Sequence, residues 1–275
     1  WRPAVVVSDD DQASRSNSQT HPAIAASNGL LYALWMETPN SGRADDTWVL
    51  DLDRSNWTER TADHPAAVYY HTLEAFRSGS GYNILLFGGS NAAGYSNESW
   101  IYYPDFDWWG ESTSQVDPSA RYMHAMAGDW NNVDGEGLAV MFGGYGQDDE
   151  GIFGYRNDTW LYHGTRDIWE KLTLSTHPNS RYQHGMAFDN ASGKAVLYGG
   201  YGQDEGGTYH RFNDTWLFDF ETLQWEELDT GETPGNRSYH AMAGDDAGRV
   251  IVYGGYLDGF GYVDDTWVLD TASSS

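Results

Sequence analysis

Clustered carboxylates are the first residues in this 275-residue chain whose types and spacing suggest chemistry. Asp148, Asp149 and Glu150 follow one another, and hard cations such as Ca²⁺ prefer clustered oxygen ligands. Their spacing is not that of an EF-hand loop, and acidic loops are common in a chain this acidic. The trio is therefore a candidate Ca²⁺ site, and the sequence indicates no other cofactor.

Aromatic rings and arginines follow that acidic run, and the arrangement occurs twice. Residues 145–151 and 201–207 are near copies, each beginning Tyr-Gly-Gln-Asp. Planar rings beside acids and amides suit a protein-binding surface, and they also suit stacking on sugars. The same rings could instead form the packed interior of an Ω-type loop, and the sequence leaves both possibilities open. The predicted contact residues are Tyr145, Phe153, Tyr155, Arg156, Tyr201, Tyr209, Arg211, Phe212, Tyr256, Phe260, Tyr262, Arg121, Arg181 and Arg237.

A short motif that occurs five times predicts the elements that must position these loops. It reads Asp/Asn, Asp/Glu, Thr/Ser, Trp at residues 45–48, 97–100, 157–160, 213–216 and 264–267. The successive tryptophans are 52, 60, 56 and 51 residues apart. A period near 50 residues is the signature of a repeat architecture.

Each repeat contains four segments with the composition of β-strands. One begins with His21, His71, His124, His184 or His240, and the next is an apolar run that ends in Gly-Gly in four of the five repeats. The motif tryptophan begins the third strand, and a second tryptophan nine residues later marks the fourth. Gly-Gly inside a sheet indicates close approach of another backbone or ring. Five equivalent histidines, one in each repeat, could hold a metal, but residues that every repeat shares are better explained by packing.

A four-stranded unit that recurs five times predicts an all-β, five-bladed β-propeller, because each sheet is covered only by its neighbours. The fifth repeat has no second tryptophan after Trp267, so we expect the strand of residues 1–7, beginning with Trp1, to complete it. Closure of the ring in this way would remove an unpaired sheet edge. The predicted single domain covers residues 1–275, with blades at about 21–60, 71–112, 124–172, 184–228 and 240–270 plus 1–7.

The order His, apolar-Gly-Gly, Asn-Asp-Thr-Trp, Trp resembles the kelch repeat over nearly the whole chain, and repeats three and four match best. The resemblance implies that the His strand lines the propeller axis and that the fourth strand is outermost. It also implies that the loop after Gly-Gly and the loop before His open onto one face. The first repeat departs most, since it lacks Gly-Gly.

The composition of the chain limits the classes of molecule that it could bind. The formal net charge is −26, which disfavours nucleic acids and anionic membranes, and no apolar run is long enough to span a bilayer. The chain has no cysteine, which excludes disulfides and the Tyr–Cys copper site of propeller oxidases. A first residue other than Met favours a secreted or extracytoplasmic protein. The six Asn-x-Ser/Thr sequons are weak evidence for glycosylation, because three of them arise from the repeat motif itself.

These observations predict a binding module that uses the Gly-Gly loops of repeats three to five to contact a protein or a glycan. A non-enzymatic role, in an extracellular or structural assembly, ranks first. The alternative is a carbohydrate-active or isomerase-type propeller enzyme with carboxylates at the channel mouth. A deep pocket with converging carboxylates of shifted pKa would favour the enzyme, and a broad aromatic surface would favour the binder.

Overall fold

The computed structural model describes residues 23–27, 30–34, 47–51, 53–60, 65–79, 81–91, 93–129, 135–245 and 247–271, the first two ranges as backbone only. Residues 1–7, which were predicted to complete the last blade, lie outside the described residues. No helix in the described part of the chain is long and apolar enough to cross a membrane.

Strands and tight turns account for the described architecture. The first repeat holds β1 (Ala23–Ser27), β2 (Leu30–Leu34), β3 (Thr47–Asp51) and β4 (Asn56–Arg60). The second holds β5 (Thr72–Ser78), β6 (Gly81–Phe87), β7 (Ser90–Asn91), β8 (Gly94–Tyr95), β9 (Ser99–Tyr103) and β10 (Trp108–Glu111). The third holds β11 (Arg121–Tyr122), β12 (Ala125–Gly128), β13 (Leu138–Phe142), β14 (Tyr145–Gln147), β15 (Phe153–Tyr155), β16 (Thr159–His163) and β17 (Ile168–Leu172).

The fourth repeat follows the same plan and the fifth is shorter. The fourth holds β18 (Ser180–Tyr182), β19 (Gly185–Asp189), β20 (Lys194–Tyr198), β21 (Tyr201–Gln203), β22 (Tyr209–Arg211), β23 (Thr215–Asp219) and β24 (Gln224–Leu228). The fifth holds β25 (Arg237–Ser238), β26 (Ala241–Gly244), β27 (Arg249–Leu257) and β28 (Gly261–Asp270).

Each repeat forms one antiparallel blade sheet. The strand orders are β1-β2-β3-β4, β5-β6-β9-β10, β12-β13-β16-β17, β19-β20-β23-β24 and β26-β27-β28. The first strands of successive sheets pack against one another, from β1 through β5, β12 and β19 to β26. The chain is therefore an all-β propeller, as the sequence predicts. Five blade sheets lie within the described residues, while the blade count of the complete ring and its closure by residues 1–7 stay predictions.

The core lies between the sheets, and a single central strand shows how it is built. On β13, Val140 and Phe142 pack towards the fourth sheet, whereas Ala139 and Met141 pack towards the second. Alternate side chains of a strand point to opposite faces, so an apolar run buries both faces. This arrangement explains why the sequence shows continuous apolar runs here instead of alternation with polar residues.

The Gly-Gly pairs allow close approach between blades, as predicted. Gly143 has a φ of +68°, and a Cβ there would lie 2.6 Å from the carbonyl oxygen of Arg181 in the next repeat. A Cβ on Gly144 would lie 2.9 Å from the Cβ of His124 in its own repeat. Only glycine fits such contacts at a left-handed backbone position.

Candidate functional site

The histidines that precede the innermost strands are buried structural residues. His71, His124, His184 and His240 are all at least nine-tenths buried, and the hydroxyl of Thr72 lies 2.6 Å from Nε2 of His124. Burial lowers the pKa of His71 to about 4 and that of His240 to about 3, so these rings are neutral near pH 7. Across the described residues, no three His, Asp or Glu side chains are placed to hold a metal ion.

The three arginines of the predicted contact set lie inside the protein. Arg121, Arg181 and Arg237 are fully buried, and each forms a two-pronged ion pair with the second residue of the Trp motif. Arg181 donates to both carboxylate oxygens of Asp214 at 2.6 and 2.7 Å and to the carbonyl oxygen of Gly199 at 3.0 Å. A guanidinium held in this way cannot reach a partner, so the structure corrects this part of the predicted surface.

The same Arg–Asp ion pairs hold in place the loops that carry the aromatic residues. Burial alone would raise the pKa of Asp158, but the Arg121 guanidinium outweighs it and holds the pKa below its usual value. The hydrogen bond from Arg237 lowers the pKa of Asp265 to about 2. Each pair therefore stays charged at neutral pH and joins the segment before an innermost strand to the segment before the Trp motif.

The long loops of the third and fourth repeats are β-hairpins and not Ω-type loops. β14 pairs with β15, so Tyr145 lies opposite Tyr155, and β21 pairs with β22, so Tyr201 lies opposite Arg211. β11 and β18 join these hairpins as third strands and bring Tyr122 beside Tyr145 and Tyr182 beside Tyr201.

Aromatic contacts join the loops of four repeats into one surface. Tyr155 contacts Tyr182 and Tyr209, with ring centroids 5.2 and 5.6 Å apart, and Tyr95 contacts Tyr122 at 4.8 Å. The guanidinium of Arg211 lies 4.2 Å from the ring of Tyr256. We define the aromatic face as Tyr95, Tyr122, Tyr145, Phe153, Tyr155, Tyr182, Tyr201, Tyr209, Tyr256 and Tyr262.

Exposure divides the predicted contact residues into an exposed group, a half-buried group and a buried group. Phe153, Tyr209, Phe260 and Tyr262 are 52%, 53%, 80% and 66% exposed. The half-buried residues are Tyr145, Tyr155, Arg156, Tyr201, Arg211 and Tyr256. Phe212 is buried, with the Arg181 guanidinium 4.0 Å from its ring centroid, so it packs within the structure. Phe153, Tyr209 and Tyr262 are therefore the predicted residues of the aromatic face that a partner can reach directly, and Phe260 is exposed beyond the face as defined.

A cleft opens in the aromatic face between the second and third repeats. Gly94, Tyr95, Tyr145 and Phe153 line an open space of 470 Å³. Burial raises the pKa of Tyr122 beside it, and burial raises the pKa of Tyr155 to about 12. These two hydroxyls are therefore neutral near pH 7 and can donate or accept hydrogen bonds.

The charged groups beside the face explain why the acidic trio is a poor Ca²⁺ site. Oδ1 of Asp148 accepts the backbone N–H groups of Glu150 and Ile152, and the hydrogen bond from Ile152 is the main cause of its lowered pKa. Asp149 lies 2.6 Å from Nζ of Lys171. Two of the three carboxylates thus have other partners, and the structure does not support the predicted cation site.

Comparison with known proteins identifies the repeat. Residues 132–275 match the sequence profile of the KLHDC2/KLHL20/DRC7 Kelch-repeats domain. The chain belongs to the kelch-repeat family. The fold and the motif order agree with this assignment, so the resemblance expected from the sequence is confirmed.

Several plant proteins are similar to this chain in sequence, at 27–28% identity. Adagio protein 3 of Arabidopsis thaliana is 27% identical over 252 residues, which cover 86% of this chain and 38% of that protein. An F-box/kelch-repeat protein of the same plant is 28% identical over 208 residues, 68% of this chain and 40% of its own length. Adagio-like protein 3 of Oryza sativa subsp. japonica is 27% identical over 251 residues, which cover 86% of this chain and 37% of that protein. The kelch domain described here thus spans about two fifths of the length of these relatives.

Sequence reasoning missed three members of this kelch domain's aromatic face. Tyr122 and Tyr182 each follow a buried arginine in an Arg-Tyr pair, and this repeated pair was the available signal. Tyr95 had no such signal, because its loop is short and belongs to the second repeat. Only the contacts between loops of different repeats place it beside Tyr122 and Phe153.

Proposed function

We propose that this chain is a protein-interaction module that binds its partner through the aromatic face. The observation that carries the proposal is a row of ring contacts through the loops of the second, third and fourth repeats, which Arg211 extends to Tyr256 in the fifth. This row leaves Phe153, Tyr209 and Tyr262 exposed. Aromatic residues are enriched at protein interfaces because they bury much area with few rotatable bonds. The relative named an F-box/kelch-repeat protein supports the same class of function.

The charges beside the face favour a partner with basic side chains. Arg211 is paired with Asp258 at 2.7 Å, and Arg156 lies 3.6 Å from Asp148, so both cations have acidic partners. Glu205 is exposed in the turn between β21 and β22, the two strands that carry Tyr201 and Tyr209. Lysine and arginine can stack on aromatic faces and pair with acids, and a net charge of −26 attracts them over longer distances.

An enzymatic function is less well supported than a binding function. Within the described residues, two carboxyl groups have a raised pKa, each mainly through burial: Glu74 on β5, whose pKa is about 8, and Asp117. Glu74 accepts a hydrogen bond from the backbone of Gly128, whereas Asp117 lies near Ser114 and Asp167. These two groups have different neighbours and do not form the converging pair that hydrolysis of a glycosidic bond requires.

The test removes exposed rings and leaves the packed ones in place. Tyr145 and Tyr201 are half-buried, so the Phe153→Ala/Tyr209→Ala double variant is the cleaner choice. Its matched control is Phe106→Ala, at an exposed position in the turn between β9 and β10. We expect the double variant to lose at least tenfold in binding to lysine- and arginine-containing peptides from an immobilised library, with unchanged thermal unfolding.

Two outcomes of that experiment would overturn the proposal. Equal peptide binding by the double variant and by the control would remove the aromatic face as the contact surface. Binding on a parallel glycan array, lost in the double variant while no peptide is captured, would assign the face to sugars instead. Secretion also stays a proposal, and a signal sequence encoded upstream of Trp1 would test it.

A further inference from the structure

One position in the Gly-Gly hairpins differs between repeats and determines what lies between neighbouring loops. In each described hairpin this position pairs with the residue that follows Gly-Gly. The pairs are Ser90 with Tyr95, Tyr145 with Tyr155, Tyr201 with Arg211 and Tyr256 with Tyr262. The position therefore holds a tyrosine in the second, third and fifth repeats and an arginine in the fourth.

The chain's own side chains fill two of the three junctions between these hairpins. Between the third and fourth repeats, the ring of Tyr155 lies 6.1 Å from that of Tyr201 and 5.6 Å from that of Tyr209. Between the fourth and fifth repeats, the guanidinium of Arg211 lies 4.2 Å from the ring centroid of Tyr256. One junction thus contains packed rings, and another contains a cation against a ring face.

The junction between the second and third repeats is the open one. The rings of Tyr95 and Tyr145 have centroids 6.5 Å apart and planes at 89° to each other. Tyr95 and Phe153 are 5.5 Å apart at 78°. These three rings and Gly94 line the cleft of 470 Å³, and Tyr95 and Phe153 are 37% and 52% exposed. Rings at nearly right angles form a corner that can contact a rounded group from more than one side.

The charges at the two junctions indicate which kind of cation the cleft suits. Arg211 is paired with Asp258 at 2.7 Å, so an acid accepts hydrogen bonds from the guanidinium beside Tyr256. The four described residues that line the cleft are uncharged. A lysine ammonium has three N–H donors and is strongly hydrated, so entry into this cleft would remove its water without supplying a carboxylate. A quaternary ammonium keeps the charge and has no N–H group, so aromatic rings alone can hold it.

We propose that the cleft binds the trimethylated side chain of a lysine in the partner protein, with Tyr95, Tyr145 and Phe153 around its ammonium group. The inference rests on the proposed function, because the cleft belongs to the aromatic face, and it adds the chemical group that the partner carries. The contact of Arg211 with Tyr256 is an example of the same interaction within the chain. The net charge of −26 attracts a cationic partner over longer distances.

Three immobilised peptide libraries with the same set of sequences test the proposal. The fixed central residue is lysine in the first and trimethyl-lysine in the second. In the third it is an uncharged analogue with carbon in place of the ammonium nitrogen. We expect the chain to bind its best trimethyl-lysine peptide about tenfold more tightly than the lysine version, because only lysine loses the hydration of N–H groups. The uncharged version should also bind about tenfold more weakly, since the ring faces attract the charge.

Two single variants locate this preference in the cleft. Tyr95→Leu and Phe153→Leu each remove one ring of the cleft and should bind the trimethyl-lysine and lysine peptides equally. The matched control is Tyr209→Leu, which removes an exposed ring of the aromatic face at the junction between the third and fourth repeats. It should change the affinity for both peptides by the same factor and so keep the preference. Thermal unfolding of all three variants checks that the fold is retained.

The outcomes separate this inference from the proposed function. Lysine peptides that bind without any preference for methylation, and are lost in Phe153→Ala/Tyr209→Ala, would keep the aromatic face as the contact surface but overturn the proposed ligand of the cleft. Equal binding of the uncharged analogue, or equal loss of preference in Tyr95→Leu and Tyr209→Leu, would also overturn it. Binding to phosphatidylcholine vesicles without a preference among the peptides would overturn it in favour of a choline headgroup. Failure of all the libraries to bind would overturn both proposals.

Discussion

At the scale of single residues, the buried Arg–Asp pairs are the most consequential feature. Arg181 has no exposed surface and forms three hydrogen bonds to Asp214 and Gly199. A buried ion pair gains little over an apolar pair, but loss of one partner leaves an uncompensated charge. The sequence showed the repeated Arg and Asp, but only the fold shows that they meet across 33 residues.

We predict that Arg181→Ala lowers the free energy of unfolding by about 3–5 kcal/mol, because Asp214 remains buried without its partner. The matched control is Arg54→Ala, whose side chain is 83% exposed and pairs with Asp51 on the surface. Denaturant unfolding should show little change for the control. Equal, small effects for both variants would contradict the structural role of the buried pair.

At the scale of elements, the hairpins could not be predicted as readily as the blade strands. The strands follow from apolar runs, Gly-Gly and tryptophan spacing, and each of these patterns recurs in at least four of the five repeats. β14 and β15 have three residues each, too few for a period of two to be recognised. Their pairing rests on local turn bonds and on contacts with the neighbouring repeat, and neither is visible as a pattern in the chain.

Asp148 is the residue on which the β14–β15 turn depends. Its Oδ1 accepts N–H groups of Glu150 and Ile152 at 2.9 and 2.7 Å, and its backbone N–H donates to the carbonyl of Ile152. We predict that Asp148→Ala loosens this hairpin and raises amide hydrogen exchange over residues 145–155, because the side-chain acceptor is lost.

The equivalent hairpin provides the control for that change. Asp204 accepts the N–H of Thr208 at 2.8 Å, so in Asp148→Ala the exchange over residues 201–211 should stay as in the parent chain. Global unfolding should change little, since the hairpin lies outside the blade cores. Faster exchange throughout the protein would show that Asp148 supports the whole fold, and unchanged exchange at 145–155 would show that the turn does not need it.

At the scale of the whole molecule, buried histidines in successive blades link stability to pH. Burial depresses the pKa of His71, His124, His184 and His240 below the usual 6.5, so the unfolded chain binds these protons first on acidification. Glu74 opposes them, because burial raises its pKa to about 8 and the folded state keeps its proton. Near pH 5.5, unfolding therefore adds about four protons, one to each histidine, and releases about one proton from Glu74. The net uptake on unfolding is about three protons.

We therefore predict that the free energy of unfolding falls as the pH drops from about 6.5 towards 4. Where all four histidines are charged in the unfolded chain, a net uptake of about three protons gives a slope of about 4 kcal/mol per pH unit. Denaturant titrations at several pH values measure this slope. Glu74→Gln is the control: it should make the slope steeper by about one proton, because the opposing group is gone. A stability that stays level between pH 6.5 and 4 would mean that the histidines take up protons within the folded blades.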